Sequence, residues 1–118
     1  MMDIYYKVSI DCAHFLPNVP EGHKCRRLHG HTYRMAIWCS GEVNPTTGFV
    51  IDYYEIEKAF EPIYEDLDHR YLNEVPGLEN PTVENLAVYI FERMSSSVPV
   101  SRITIDETCT AGCSYDGS

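Results

Sequence analysis

The chain has 118 residues, and its 9 lysines and arginines face 18 aspartates and glutamates, a formal net charge of −9. That balance excludes nucleic acid and anionic membranes as general partners, because both need a basic footprint. With 44% hydrophobic and 12% aromatic residues the composition is not that of a disordered chain, and a chain of this size buries roughly two-thirds of its surface on folding. Residues 1–118 read as one domain, with no repeat, linker or low-complexity tract.

From Tyr5 to His14 the sequence alternates, with Tyr6, Val8, Ile10, Cys12 and His14 on one parity, which predicts a strand with one buried face. Leu16-Pro17-Asn18-Val19-Pro20-Glu21-Gly22 is punctuated as a loop. A second strand, Leu28 to Gly41, sets His29, His31, Tyr33, Met35, Ile37 and Cys39 on one side. After a turn at Asn44-Pro45-Thr46-Thr47-Gly48, Asp52 and Glu55 have the spacing of a helix cap with a capping box, followed by Ile56, Phe60, Ile63 and Leu67 at helical intervals. Pro62 falls inside this pattern and predicts a kink or an interruption. A loop from His69 to Asn80 leads to a second helix near Pro81-Thr82, whose stripe runs Val83, Leu86, Ala87, Ile90, Phe91 and Met94. A third strand alternates Ile103, Ile105, Glu107 and Cys109, and a short segment, Cys113 to Tyr115, ends the chain. The order ββααββ implies an α+β fold: a four-stranded antiparallel sheet with both helices on one face. Such a small open sheet, with nine tyrosines in the chain, points to a homo-oligomer.

The N-terminus lacks the basic region and long apolar stretch of a secretory signal, and no apolar run reaches membrane-spanning length. The expected location is the cytoplasm, where the five cysteines stay reduced. Charge is unevenly spread: Gly22 to Gly41 contains Lys24, Arg26, Arg27 and Arg34 and no carboxylate, so this segment carries +4 and the remainder −13. A small anionic ligand fits such a stretch; a solvated basic loop is the plainer reading.

Three histidines can converge. His29 and His31, two apart on a strand, point the same way, and His14 ends the preceding strand on its apolar parity. Paired as a hairpin, the strands bring together three imidazoles, the donor set of a catalytic zinc site with one position open. Cys25, flanked by Lys24 and Arg26 and four residues before His29, is a proton acceptor or nucleophile, a fourth metal ligand, or an inert thiol. Asp68-His69 can form a relay in which the carboxylate orients the imidazole, or His69 simply ends a helix. Glu107, on an apolar parity, needs either an Arg or Lys partner or a ligand with adjacent N–H donors, as a guanine-like or pterin ring has. Cys109 and Cys113 are read as two ordinary buried thiols.

These residues occur in the pieces Cys12-Ala13-His14, Val19-Pro20-Glu21-Gly22-His23-Lys24-Cys25, Leu28-His29-Gly30-His31, Leu67-Asp68-His69, Pro76-Gly77-Leu78-Glu79-Asn80-Pro81-Thr82 and Glu107-Thr108-Cys109-Thr110-Ala111-Gly112-Cys113. In that order they resemble the 6-pyruvoyl-tetrahydropterin synthase family, and within it the bacterial branch of queuosine biosynthesis, whose CxxxHGH spacing Cys25 to His31 shares. The resemblance implies the tunnelling fold, assembled as a trimer or as a hexamer of two trimers with active sites at subunit interfaces. It implies conversion of 7,8-dihydroneopterin triphosphate to 6-carboxy-5,6,7,8-tetrahydropterin, with acetaldehyde and triphosphate released. Carried onto this chain, it gives His14, His29 and His31 as Zn2+ ligands and Cys25 as proton acceptor. Asp68 and His69 become the relay, and Glu107, with Thr108 beside it, the pterin anchor, Glu107 also being counted in the relay. We add Lys24 and Arg27 as expected contacts of the triphosphate. Arg26 departs from the family pattern, which has a small residue there. The alternatives are a pyruvoyl-type synthase, which eliminates triphosphate but keeps the carbon chain, and a non-enzymatic zinc-binding scaffold.

Overall fold

The computed structural model describes residues 1–118. Two long strands, β1 (Met2–His14) and β2 (His29–Gly41), form an antiparallel hairpin in the register Ile10↔Tyr33, Cys12↔His31 and His14↔His29. Strand β3 (Val100–Asp106) pairs with β2 from Arg34↔Asp106 to Cys39↔Val100 with a bulge at Trp38/Cys39, and β4 (Gly112–Tyr115) pairs with β3, giving the order β1-β2-β3-β4. Because β3 begins to pair only at Arg34, the hairpin end carrying His14, His29 and His31 projects beyond the shorter strands.

Both helices cover one face, as the sequence pattern predicts. Helix α1 (Tyr53–Leu67) starts at Asp52, whose Oδ1 accepts the Tyr54 N–H at 3.0 Å, a cap that contributes about 1 kcal/mol. The reciprocal half of the capping box is not formed: Glu55 donates its backbone N–H to the Asp52 carbonyl and its side chain makes no bond to Asp52. The helix also continues through Pro62, so of the expected kink or interruption the interruption does not occur. Pro62 lies on the exposed face, so the Lys58 carbonyl that loses its N–H donor faces water instead of the core. Ile56, Phe60, Ile63 and Leu67 are all buried, each contributing about 1.5–3 kcal/mol. Helix α2 (Val83–Met94) is capped by Thr82, which accepts the Asn85 N–H at 3.1 Å, and sinks Leu86, Ala87, Ile90 and Met94 into the same core. α1 packs on β1, and α2 on β3 and β4.

The opposite face is open. Tyr5 lies against Trp38 at 4.7 Å between centroids, and with Lys7, Arg34, Thr104 and Asp106 they line a cleft of about 610 Å³, away from the histidines. No helix is long and apolar enough to cross a membrane.

Two further boundaries differ from the sequence pattern. β1 extends back to Met2, and β3 stops at Asp106, which puts Glu107 and Cys109 in a turn and not on a strand. Gly112 imposes this: a Cβ there would stand 2.2 Å from the Ile105 carbonyl oxygen, so the chain folds back tightly as only glycine permits. Cys109 is consequently exposed and Cys113 half-buried, correcting the expectation of two buried thiols; all five cysteines are free.

Candidate active site

Register and parity alone bring His14, His29 and His31 together. One ligating atom from each lies within 4.8 Å of the others, with ring centroids 4.6 to 5.1 Å apart. The surrounding backbone decides which nitrogens face inward. His14 Nδ1 lies 2.8 Å from the Pro81 carbonyl oxygen, and His29 Nδ1 lies 2.7 Å from the Arg27 carbonyl oxygen. A carbonyl only accepts, so both Nδ1 atoms carry the proton and both Nε2 atoms present bare lone pairs. Those two Nε2 atoms face each other at 3.0 Å. Two acceptors that close, with no hydrogen to share, repel unless a cation lies between or beside them, so this donor set fits a borderline-soft divalent ion such as zinc.

Burial works against charge on two of the three imidazoles, His14 and His31. Burial pulls His14 below its ordinary range despite the opposing Pro81 carbonyl, with His29 and His31 adding to the fall. His31 is also lowered, burial outweighing the favourable charge of Glu107. Behind the triad, the Tyr33 hydroxyl sits 3.2 Å from His14 Nδ1, and burial holds this phenol far above its usual range, so it is an uncharged brace for the ring. Cys12, across from His31, is no fourth ligand: burial pushes its thiol up to about 12, and Sγ donates to the Leu67 carbonyl at 3.2 Å.

Glu107 Oε1 lies 3.7 Å from His31 Nε2, with 28% of the side chain exposed. Of the two alternatives for Glu107, the Arg or Lys partner is not formed; none of the lysines or arginines makes an ion pair. This carboxylate therefore has one free flank beside the histidines. The turn that presents it is closed by the Glu107 and Thr108 N–H groups, both donating to the Ala111 carbonyl, while Thr108 Oγ1 accepts the Thr110 N–H.

Cys25 is half-buried in a 3₁₀ turn, Lys24–Arg26, capped by His23 Nδ1, which accepts the Cys25 N–H at 3.1 Å. Its sulfur makes no hydrogen bond, and Lys24 and Arg27 on either side are exposed.

Asp68 and His69 follow α1 and are joined directly: His69 Nδ1 donates to Asp68 Oδ2 at 2.6 Å. Asp68 Oδ1 accepts the Asp11 N–H at 2.9 Å, and the His69 N–H returns to the Asp11 carbonyl at 2.7 Å. Beyond them the Ala13 N–H donates to the Arg70 carbonyl, so residues 68–71 lie along the free edge of β1. His69 adopts φ +59°, an uncommon backbone for a side-chain-bearing residue, and this reversal turns its ring into a cleft of about 600 Å³ with Asp11, Gly30, Thr32, Arg70 and Tyr71. Hydrogen bonding and charge from Asp68 raise His69 above its ordinary range. Partial burial pushes Asp68 up, but the Asp11 N–H, His69 and Tyr64 together outweigh it and hold the carboxyl low. Within one chain no hydrogen bond links His69 to Cys25.

Sequence reasoning missed the carbonyls of Pro81 and Arg27 and the hold of Asp11 on the relay. Backbone groups carry no residue signal; Tyr33, on the same parity as His29 and His31, was the one supporting group that could have been found.

A helix-backed sheet with three converging imidazoles, a carboxylate flank, a thiol and a carboxylate–imidazole pair defines a small α+β enzyme. The sequence profile of the family described as 6-pyruvoyl tetrahydropterin synthase matches residues 3–118, and the chain belongs to that family. A Synechocystis protein named 6-carboxy-5,6,7,8-tetrahydropterin synthase is 38% identical over 122 aligned residues, covering 98% of this chain and 93% of that one. A Pyrococcus furiosus protein named dihydroneopterin monophosphate aldolase is 34% identical over 96 residues, covering 81% and 77%. The structure of Caenorhabditis elegans 6-pyruvoyl tetrahydropterin synthase superposes with a TM-score of 0.90 at 28% identity, covering 99% of this chain and 96% of that one.

Proposed function

We propose that this chain is a zinc-dependent carbon–carbon lyase that converts 7,8-dihydroneopterin triphosphate and one water to 6-carboxy-5,6,7,8-tetrahydropterin, acetaldehyde and triphosphate, in queuosine biosynthesis in the cytoplasm. The observation that carries the reading is the Glu107 carboxylate poised 3.7 Å from His31 with no basic partner, which a metal-storage site does not need and a pterin-binding site does. The similarity to the Synechocystis synthase over nearly the whole chain supports the carboxy branch.

His14, His29 and His31 would hold zinc, which supplies Lewis-acid polarisation of substrate oxygen atoms. The Pro81 and Arg27 carbonyls keep the ligating nitrogens deprotonated and aimed. Glu107 accepts hydrogen bonds from the pterin ring N–H and its exocyclic amine, with Thr108 beside it, and thereby fixes the ring's register against the triad. Cys25 takes a proton from the substrate side chain. His69 receives the Cys25 proton on Nε2, because Nδ1–H is committed to Asp68. Lys24 and Arg27, both without ion pairs, receive the triphosphate.

That no hydrogen bond joins Cys25 to His69 within one chain supports active sites at subunit interfaces, with the relay of one subunit serving the thiol of another in a trimer or in a hexamer of two trimers.

Incubating the zinc-loaded protein with dihydroneopterin triphosphate tests the reading directly. Acetaldehyde together with the mass of the carboxylated pterin is the expected result. Triphosphate without acetaldehyde would assign the pyruvoyl-type reaction, and no turnover the scaffold. Replacing Lys24 and Arg27 together by Ala should raise KM; an unchanged KM removes them from the triphosphate site.

A further inference from the structure

The segment carrying Cys25 has little apolar anchorage. Phe15, Leu16, Pro17, Val19 and Cys25 are half-buried, and every other residue from Asn18 to Leu28 is exposed. Its base is tied by Asn73, which brackets the Phe15 backbone at 3.0 and 2.9 Å, and by the Leu16 N–H donating to the Cys25 carbonyl at 2.8 Å. The turn itself is closed locally, His23 N–H to the Pro20 carbonyl and Arg26 N–H to the His23 carbonyl. Between base and turn, Pro17, Asn18 and Val19 make no backbone hydrogen bond to any other part of the chain. Only one side chain spans that gap. Arg26 Nη1 donates to the Pro17 carbonyl at 3.3 Å and to the Val19 carbonyl at 3.0 Å, and no carboxylate competes for its guanidinium.

We propose that Arg26 is a positioning residue for Cys25: its guanidinium staples the Pro17–Val19 arm to the 3₁₀ turn and so fixes where the Cys25 sulfur stands relative to the histidine triad. A charged donor serving two carbonyls at once adds a second tie between arm and turn, beyond the Leu16–Cys25 backbone bond at the base, and it does so next to the thiol. The arm and the turn then move as one unit, and the loop samples fewer open conformations. An alternative role, in which Arg26 acts as a positive neighbour that favours the thiolate, predicts the opposite sign in the experiment below.

The proposal rests on Cys25 as the proton acceptor, and the test separates the two ideas. Arg26→Met keeps the stem without donors or charge, and Arg26→Ala removes both. On the zinc-loaded protein, alkylation of Cys25 by iodoacetamide is followed at one pH by peptide mass. Release of the staple exposes the sulfur, so alkylation accelerates about threefold or more in both variants. With dihydroneopterin triphosphate, kcat falls roughly tenfold while KM and zinc per chain stay at wild-type values, the signature of a displaced acid–base group. Alkylation that is slower would assign Arg26 to thiolate stabilisation, and alkylation that is unchanged would leave it idle; either overturns the staple. If the wild-type protein fails to turn over the pterin, the proposed reaction falls alone. The alkylation comparison needs no substrate and still decides the role of Arg26.

Discussion

The two halves of the site are built on opposite principles. The histidine triad stands on paired strands, and its convergence follows from register and parity, with His14 only 1% exposed. The Asp68–His69 pair hangs on the edge of β1, held by two backbone hydrogen bonds to Asp11 and one left-handed residue, with the His69 side chain 77% exposed. The first half is a cage set by strand geometry, its three imidazoles sharing one site; the second is a carboxylate–imidazole pair with an exposed ring, whose charge depends on pH. Changes to the cage should therefore be all-or-none, and changes to the relay graded.

The largest effect should come from His31→Ala. Two imidazoles cannot complete the cage, so bound zinc, measured by elemental analysis, and turnover should vanish together. Retention of one zinc per chain would show that the triad is not the metal site. Cys25→Ala should leave zinc in place and still reduce kcat by about 10²–10⁴-fold, the usual contribution of a positioned proton acceptor. Loss of zinc in this variant would make Cys25 a ligand instead of a catalyst.

How much of this was legible beforehand follows the same division. Period-two alternation located β1 and β2, and the same alternation placed three histidines on one face, because strand geometry leaves a side chain only two directions. The stripe from Val83 to Met94 located α2 for an equivalent reason. Glu107 was misplaced because the alternation of Ile103 and Ile105 appears to continue through it. The tight approach at Gly112 ends the strand earlier, and that is a three-dimensional constraint. Pro62 does not interrupt α1, because whether its lost hydrogen bond is costly depends on which face it occupies. The family resemblance supplied roles for Asp68 and His69 that spacing could not, since adjacent residues point together only when the backbone reverses, as φ +59° at His69 makes it do.

The relay should respond to Asp68→Asn by a graded loss, roughly 10²-fold in kcat. Its clearer signature is in the pH profile. Asp68 raises His69 above its ordinary range, so in the wild type the imidazole becomes a free base only at higher pH. The Asn variant should move the acidic limb of the kcat profile to lower pH while lowering its plateau. A limb that stays in place would detach His69 from the rate.

The smallest effect is on folding, and it isolates the pair from the metal. The Asp68 carboxyl is held below its unfolded value of 3.8, so its stabilising contribution is present above that pH and disappears as the pH falls through the lowered folded value. His69 is raised above 6.5, so its contribution is complete below that pH and disappears as the pH rises through the raised folded value. Both are in force between about pH 4 and 6.5. Because His69 is largely exposed, solvent screens the pair and the difference should be only a few degrees. Melting temperatures of wild type and Asp68→Asn, both loaded with zinc, should therefore differ most within that window, converge as the pH falls below it, and narrow without closing above it, where the Asp11 and Tyr64 hydrogen bonds to the carboxylate remain, with added salt shrinking the gap. Burial lowers His14 and His31 in both proteins alike, so their pH dependence cancels in the difference and leaves the Asp68–His69 pair. A difference that is flat from pH 3 to 9 would mean that Asp68 stabilises the edge of β1 only through its neutral-range hydrogen bond from Asp11, and that the charge on His69 plays no part.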